Sequence, residues 1–219
     1  MIIGINGYAG SGKDTVGIII QYLNCESKVN LTIEEVLINY KNHEWWLQDA
    51  SGWEVKKWAG KLKDVANLLT GIPIKDFEDQ EFKKTNLGPE WNNYVNTPMT
   101  VRDFLQKLGT EGLRDGLHVN TWVNALMADY KCVPADQAPG GWDCPNWLVT
   151  DTRFPNEASA IKDKGGILLK VTRPGVGPIN DHPSETALNQ WNFDYEIQNN
   201  GSLQDLINSV KEFKQKFGI

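Results

Sequence analysis

Gly7-Tyr8-Ala9-Gly10-Ser11-Gly12-Lys13 is a complete G-x-x-x-x-G-K loop, set between the apolar run Met1-Ile2-Ile3-Gly4-Ile5 and the helix-forming stretch Thr15 to Leu23. A strand that ends in such a turn, with a helix beginning there, gathers successive backbone N–H groups around one small concavity. Phosphate is held in such a concavity, and the lysine reaches the β and γ oxygens. Gly10, Ser11, Gly12 and Lys13 are therefore expected to cradle a nucleoside triphosphate. A glycine-rich turn that merely joined strand to helix would leave the lysine and both flanking elements without a reason. The position after the lysine, where a hydroxyl commonly ligates magnesium, is Asp14, and the hydroxyl follows at Thr15. Thr15 is placed to bond the α-phosphate. Asp14 has two open readings: a carboxylate holding Mg²⁺ directly or through water, or an acid favoured in the first turn by the helix dipole.

The 219 residues fit one domain with a lid or small insertion, and the formal charge of −6 argues against coating nucleic acid or an anionic membrane surface. No apolar run approaches the roughly 20 residues that cross a bilayer. Cys25, Cys132 and Cys144 form no C-x-x-C, and no charged-then-apolar leader precedes the first strand, so a reducing cytoplasm is expected. His43, His118 and His182 stand at unrelated spacings, and no structural zinc is expected. Of 22 basic residues only four are arginines, Arg102, Arg114, Arg153 and Arg173. The guanidinium fork suits bidentate phosphate contacts, and a chain this sparing with arginine is read as reserving it for phosphate, with ordinary salt bridges as the alternative.

Strands are expected at residues 1–6, 53–58, 146–151, 167–172 and 194–198. Helices are expected at about 13–24, 33–40, 61–69, from Thr100 through Leu108, 120–130, 155–164, from near Ser184, and from Ser202 onward. The alternation predicts a three-layer α/β domain with a mainly parallel sheet, the P-loop NTPase architecture. Residues 26–52, with Trp45 and Trp46, read as an insertion. Residues 72–98 lack a periodic apolar face and read as a long exposed excursion, within a helical acceptor-binding region spanning 72–130. Residues 173–185, opened by Arg173-Pro174-Gly175, read as a mobile lid.

A strand ending in Asp151 places a second acid beside the loop, because strand C-termini in an open parallel sheet line one crevice. Asp151 is expected to face magnesium, and Arg153, two residues on, to reach a phosphoryl group. Arg173, carried by the lid, is a candidate transition-state cation. Lys61 and Lys63 are read at the start of the helix after the second strand, a ready phosphate site. Arg102, Gly109, Thr110, Arg114 and Trp122 supply a second cationic wall with an aromatic surface.

These segments together resemble the phage deoxynucleoside monophosphate kinases, a branch of the P-loop nucleoside monophosphate kinases. The resemblance covers most of the chain. It rests on Gly7 to Thr15, Ala59-Gly60-Lys61-Leu62-Lys63-Asp64, Lys84-Thr85-Asn86-Leu87, Val101-Arg102, Leu108-Gly109-Thr110 and Trp122-Val123. Further along it rests on Asp151-Thr152-Arg153, Arg173-Pro174-Gly175, Asp181-His182, Glu185 and Asn200-Gly201-Ser202-Leu203. It implies that Lys63, Arg102, Gly109, Thr110 and Trp122 contact the acceptor nucleotide, that Lys13 and Arg173 hold donor phosphates, and that Asn200 neighbours the donor adenine. Lys83 stands where the resemblance leads us to expect an arginine, so that acceptor contact becomes a point charge without a fork. The expectation is a cytoplasmic transferase of nucleotide biosynthesis, inside a host cell if viral, that passes the γ-phosphoryl group of Mg-ATP to a deoxynucleoside monophosphate. A homodimer is compatible with it. Two alternatives stand beside it: a related kinase for another small phosphorylated metabolite, of dephospho-coenzyme A or phosphomevalonate type, and a nucleotide-operated switch with no acceptor. The chain has no N-K-x-D guanine-reading element to support the switch.

Overall fold

Parallel strands of β-branched and leucine residues, buried on both faces, form the centre of a computed structural model that describes residues 1–25, 31–92, 97–136, 141–179 and 183–219. Two compact units emerge. The first comprises Met1–Lys57 and Tyr130–Ile219, the second Trp58–Asp129.

In the first unit, β1 (Ile2–Asn6) leads through the loop to α1 (Lys13–Asn24), followed by α2 (Ile33–Ile38), α3 (Tyr40–Ser51) and β2 (Trp53–Lys56). The second unit then intervenes with α4 (Trp58–Thr70), α5 (Val101–Gln106) and α6 (Thr121–Met127). The chain returns to the first unit with a short antiparallel pair, β3 (Val133–Pro134) and β4 (Trp142–Asp143). There follow β5 (Asn146–Val149), α7 (Pro155–Asp163), β6 (Ile167–Thr172), α8 (Pro183–Thr186), β7 (Tyr195–Gln198) and α9 (Leu203–Phe217).

The five-stranded sheet has the order β2-β5-β1-β6-β7 and is parallel throughout. Its register sets Ile3 against Leu148 on one side and Ile167 on the other, so the glycine loop leaves the C-terminal edge at a central strand. Ile3 and Ile5 join Val16, Ile19 and Ile20 of α1 and Leu206, Val210 and Phe213 of α9 in one buried core. Gly4 points the other way, where a Cβ would meet Leu168 and Ile161 of α7. Helices therefore cover both faces, the expected three layers. Each fully buried Ile or Leu contributes about 1.5–3 kcal/mol, and truncating Ile19, which is completely buried, should cost about 2–5 kcal/mol. Ser202 caps α9 reciprocally with Asp205, as its sequence suggests.

The second unit has its own core of Ala66, Phe77, Val101, Phe104 and Leu105. The described part of the expected excursion, residues 72–92 and 97–98, is thus not simply exposed, while 93–96 lie outside the described residues. Short 3-10 turns at Asp76–Glu78, Phe82–Lys84 and Pro89–Trp91 fold the segment, Phe77 is fully buried, and Trp91 meets Phe104 with ring centroids 5.0 Å apart. The helix starts at Thr100 as expected, where Thr100 and Asp103 cap α5 reciprocally, but it then widens into a π-helix over Lys107–Asp115. Two further departures concern the first unit. Residues 40–51 form a complete helix, α3, where only the 33–40 stretch reads as helical, and Cys132 and Cys144, expected to be reduced, are joined in a disulfide closing the β3–β4 hairpin. Among the described residues no helix is long and apolar enough to cross a membrane.

Candidate active site

The loop of the first unit is held by its own backbone. Gly10 and Gly12 both adopt positive φ, 84° and 95°, which reverses the chain tightly enough for the Gly12 carbonyl to accept the first helical bond from Val16 N at 2.9 Å. The Ser11 N–H donates to Tyr8 O at 3.0 Å, and the Ser11 side chain is buried beneath the loop, its hydroxyl without a partner among the described residues. Gly7 must be glycine for a different reason: a Cβ there would lie 2.6 Å from the Val171 carbonyl oxygen.

At the mouth of α1, Lys13 Nζ lies 2.9 Å from Asp14 Oδ2, while the Thr150 hydroxyl donates to Asp14 Oδ1 at 3.1 Å. Thr150 is buried at the end of β5, and Thr15 is half-buried in the first turn. The Asp14 side chain is exposed, and although the surrounding protein displaces some of its hydration, Lys13, Lys57 and the Thr150 hydroxyl outweigh that and hold its pKa below the usual carboxylate value. Asp151, expected to be the second acid, follows Thr150 directly and is half-buried, so the strand end presents a hydroxyl to Asp14 at the preceding residue.

The two arginines of this unit are placed differently. Arg173 is exposed just past β6, and its Nη1 makes a long contact of 3.5 Å to the Gly10 carbonyl, at the lip of the loop. Arg153 is paired by Nη1 with Glu185 Oε1 at 2.7 Å, and the Glu185 side chain is only 10 % exposed. The turn carrying Arg153 is fixed by Glu157, which is buried and accepts from the backbone N–H groups of Arg153 and Phe154 at 2.7 and 3.0 Å. Asn200 is exposed. Its neighbour Asn199, which sequence reasoning missed, reaches the loop instead, donating from Nδ2 to the Ser11 carbonyl at 2.9 Å. Asp181 and His182 lie outside the described residues, as do 26–30 of the expected insertion and residue 180 of the expected lid.

The second unit gathers the candidate acceptor residues. Residues 85–87 run antiparallel to 99–101, with Leu87 N donating to Met99 O at 3.0 Å and Val101 N to Thr85 O at 2.9 Å, which places Arg102 at the end of a braced strand-like pair. Arg102 Nη2 then donates to Gln80 Oε1 at 3.1 Å. Lys63 is 8 % exposed, a degree of burial a lysine tolerates only with a partner, and its ammonium is paired with Glu78. Both cations are therefore met by one short stretch, residues 78–80. Lys83 is half-buried in the adjoining 3-10 turn. Gly109, Thr110 and Arg114 share the π-helix, a form that tends to mark functional sites. Trp122 donates its indole N–H to the Gly109 carbonyl at 2.8 Å. Gly109 is tight against α4, a Cβ there approaching Leu62 Cδ2 to 2.9 Å. The helix begins earlier than expected, at Trp58, so Lys61 closes its first turn, bonded to Asp129 at 2.9 Å, and Lys63 falls in the second.

Strand, phosphate loop and helix on a parallel sheet, with a lysine at the helix start, define a P-loop nucleotide-binding protein. The deoxynucleotide monophosphate kinase family model matches residues 34–210, and the chain belongs to that family. A putative deoxynucleotide monophosphate kinase of Acanthamoeba polyphaga mimivirus is 28 % identical over 173 residues, 75 % of this chain and 84 % of that protein. The deoxynucleoside-5'-monophosphate kinase of Escherichia phage T5 is 25 % identical over 96 % of this chain and 93 % of its own length. The deoxynucleotide monophosphate kinase of Enterobacteria phage T4 is 29 % identical over 65 % of this chain and 58 % of its own length.

Proposed function

We propose that the protein phosphorylates deoxynucleoside monophosphates from ATP, making ADP and a deoxynucleoside diphosphate by direct transfer. An oxygen of the acceptor 5'-phosphate attacks the γ-phosphorus. A new oxygen–phosphorus bond forms as the bond to the β–γ bridging oxygen breaks, and that electron pair leaves on ADP. The attacking oxygen is already anionic, so no general base is needed, and catalysis reduces to positioning and charge neutralisation.

The chain's own residues divide that task. The amides of Gly10, Gly12 and Lys13 and the Lys13 ammonium hold donor phosphates, with Ser11 shaping the loop through its own N–H bond to Tyr8 O, Thr15 at the α-phosphate and Asn200 beside the adenine. Arg173 and Arg153 neutralise charge developing on the transferred group. Lys63, Lys83, Arg102 and Arg114 take the acceptor phosphate, and Gly109, Thr110 and Trp122 shape the acceptor's nucleoside site. Magnesium fits the donor end. Asp14, with the Thr150 hydroxyl bonded to its carboxylate, offers hard oxygen donors, and magnesium needs only one or two carboxylates beside substrate phosphates. Asp14 and Asp151 are the residues that would hold it. When bound it would neutralise β and γ oxygens.

One observation carries this reading: in a chain of this kinase family, Lys13 stands at the start of α1 directly behind the doubly left-handed turn of Gly10 and Gly12. The test is ADP release from Mg-ATP with each common deoxynucleoside monophosphate in turn. At least one should raise turnover well above the ATP-only background, and none doing so would end the assignment.

A further inference from the structure

We infer that Asn199 is a positioning residue for the donor-phosphate loop, fixing the peptide plane between Ser11 and Gly12 so that the Gly12 N–H faces bound phosphate. The inference rests on reading the loop as the site of ATP phosphates.

The argument begins at the end of β7. Asn199 continues the β6–β7 ladder by one bond, its N–H donating to Thr172 O at 2.7 Å, so its backbone is held to the strand that leads into Arg173. From that anchor the side chain crosses to the loop and Nδ2 donates to the Ser11 carbonyl at 2.9 Å. The approach is close: a Cβ on Gly12 would sit 2.5 Å from the same nitrogen, so the loop's last glycine leaves room for this amide as well as providing its own left-handed turn.

Carbonyl and N–H of one trans peptide point in opposite directions, and the described residues contain no cis bond. Drawing Ser11 C=O outward toward Asn199 therefore turns Gly12 N–H to the other side of the chain, into the concavity of the loop. The preceding plane is fixed in the same manner. Ser11 N–H is taken by Tyr8 O at 3.0 Å, which sends the Gly10 carbonyl the opposite way, toward the Arg173 guanidinium at 3.5 Å. Within the loop the Ser11 hydroxyl makes no bond of its own, so it offers the Ser11–Gly12 plane no hold. A peptide between a residue and a left-handed glycine can flip, because glycine tolerates either sign of φ. Asn199 selects the orientation in which an amide proton, and not a carbonyl oxygen, meets the anion. Placing a carbonyl there would repel phosphate.

Binding measured by calorimetry on the full chain tests this. Asn199→Ala removes the donor, and Asn199→Leu removes it while keeping the side-chain volume. Both should weaken Mg-ATP about tenfold, in line with the worth of a hydrogen bond to a charged group, and weaken inorganic tripolyphosphate by the same factor. Affinity for a deoxynucleoside monophosphate should be unchanged, and in turnover the loss should fall on KM for ATP with kcat kept within about twofold, since the contact precedes the chemical step. Equal ATP affinity in variant and wild type overturns the inference. So does equal loss of donor and acceptor affinity, which marks general destabilisation, or loss for ATP with tripolyphosphate unaffected, which moves the role to the adenine. If neither variant folds, the wild-type protein decides by NMR: saturating Mg-ATP should shift the Gly12 amide proton downfield while the Asn199 side-chain amide stays in place, and an unmoved Gly12 amide refutes the inference. Wild-type protein that binds no ATP at all would instead end the reading on which this one rests.

Discussion

In the unit of residues 1–57 and 130–219 the candidate phosphate site is mostly backbone, whereas in the unit of 58–129 it is mostly side chain. The loop from Gly7 to Lys13 is shaped by left-handed glycines and by main-chain bonds at Tyr8 and Gly12, with Asn199 bracing one carbonyl. Lys63 and Arg102 owe their positions to side-chain partners, Glu78 and Gln80, two residues apart in one short stretch. Backbone amides whose directions are set by the turn itself present a site already formed. Side-chain cations that are already partnered must exchange one oxygen for another when phosphate arrives. The contrast predicts that the donor site is pre-organised and the acceptor site is competitive.

Lys13→Ala should do the most damage, lowering kcat by about 10²–10³, the scale seen when one preorganised donor to a developing charge is removed. Steady-state kinetics would show it, and a variant keeping more than half of wild-type kcat would remove the lysine from the chemistry. Arg102→Ala should raise KM for the deoxynucleoside monophosphate about 10- to 100-fold, equivalent to about 1.5–3 kcal/mol for a charge-assisted bond, with KM for ATP unchanged. An equal rise in both would erase the division between units. Glu78→Gln should act in the opposite direction, lowering acceptor KM by roughly three- to tenfold because the competing carboxylate is gone. A rise there would make Glu78 a support for Lys63 and not a competitor.

The smallest effect concerns pH. Asp14 has a lowered pKa in the folded protein, so the stability it adds is complete above the unfolded carboxylate value of about 3.9 and is lost as pH falls through the lower folded value. The melting-temperature gap between wild type and Asp14→Asn, measured without nucleotide, should shrink below about pH 4. A gap that stays constant from neutral pH down to about 3 would show that Lys13 and Thr150 do not stabilise the carboxylate.

The sequence disclosed elements whose periodicity and end signals agree. The run Met1 to Ile5, the glycine loop and α1 are legible together, as are β5, β6 and the Ser202-capped α9. It concealed α3 because that helix buries only Leu47 while Trp45 is 72 % exposed, leaving no apolar stripe to detect. The π-helix was equally hidden, since Val101, Phe104, Leu105 and Leu108 keep an α-helical spacing up to the point where the turn widens. In the site, the loop residues and Lys63 could be placed by motif. Which of two consecutive asparagines faces the loop could not, because the reach of Asn199 depends on where β7 stops pairing with β6. The partners Glu78, Gln80 and Glu185 were illegible for a similar reason: each is brought in by a turn or short helix with no periodicity of its own.

The order of strands in the sheet bears on how the protein emerges from a ribosome. The neighbour shared by β1 and β2 is β5, and it is made only after all of residues 58–129. Until then the first two strands have no ladder to join, and their unpaired edges are exposed to other nascent chains. A transcript cut short before β5 would leave the glycine loop attached to a strand with neither of its neighbours, so translation must run through Val149 before the nucleotide site can take shape.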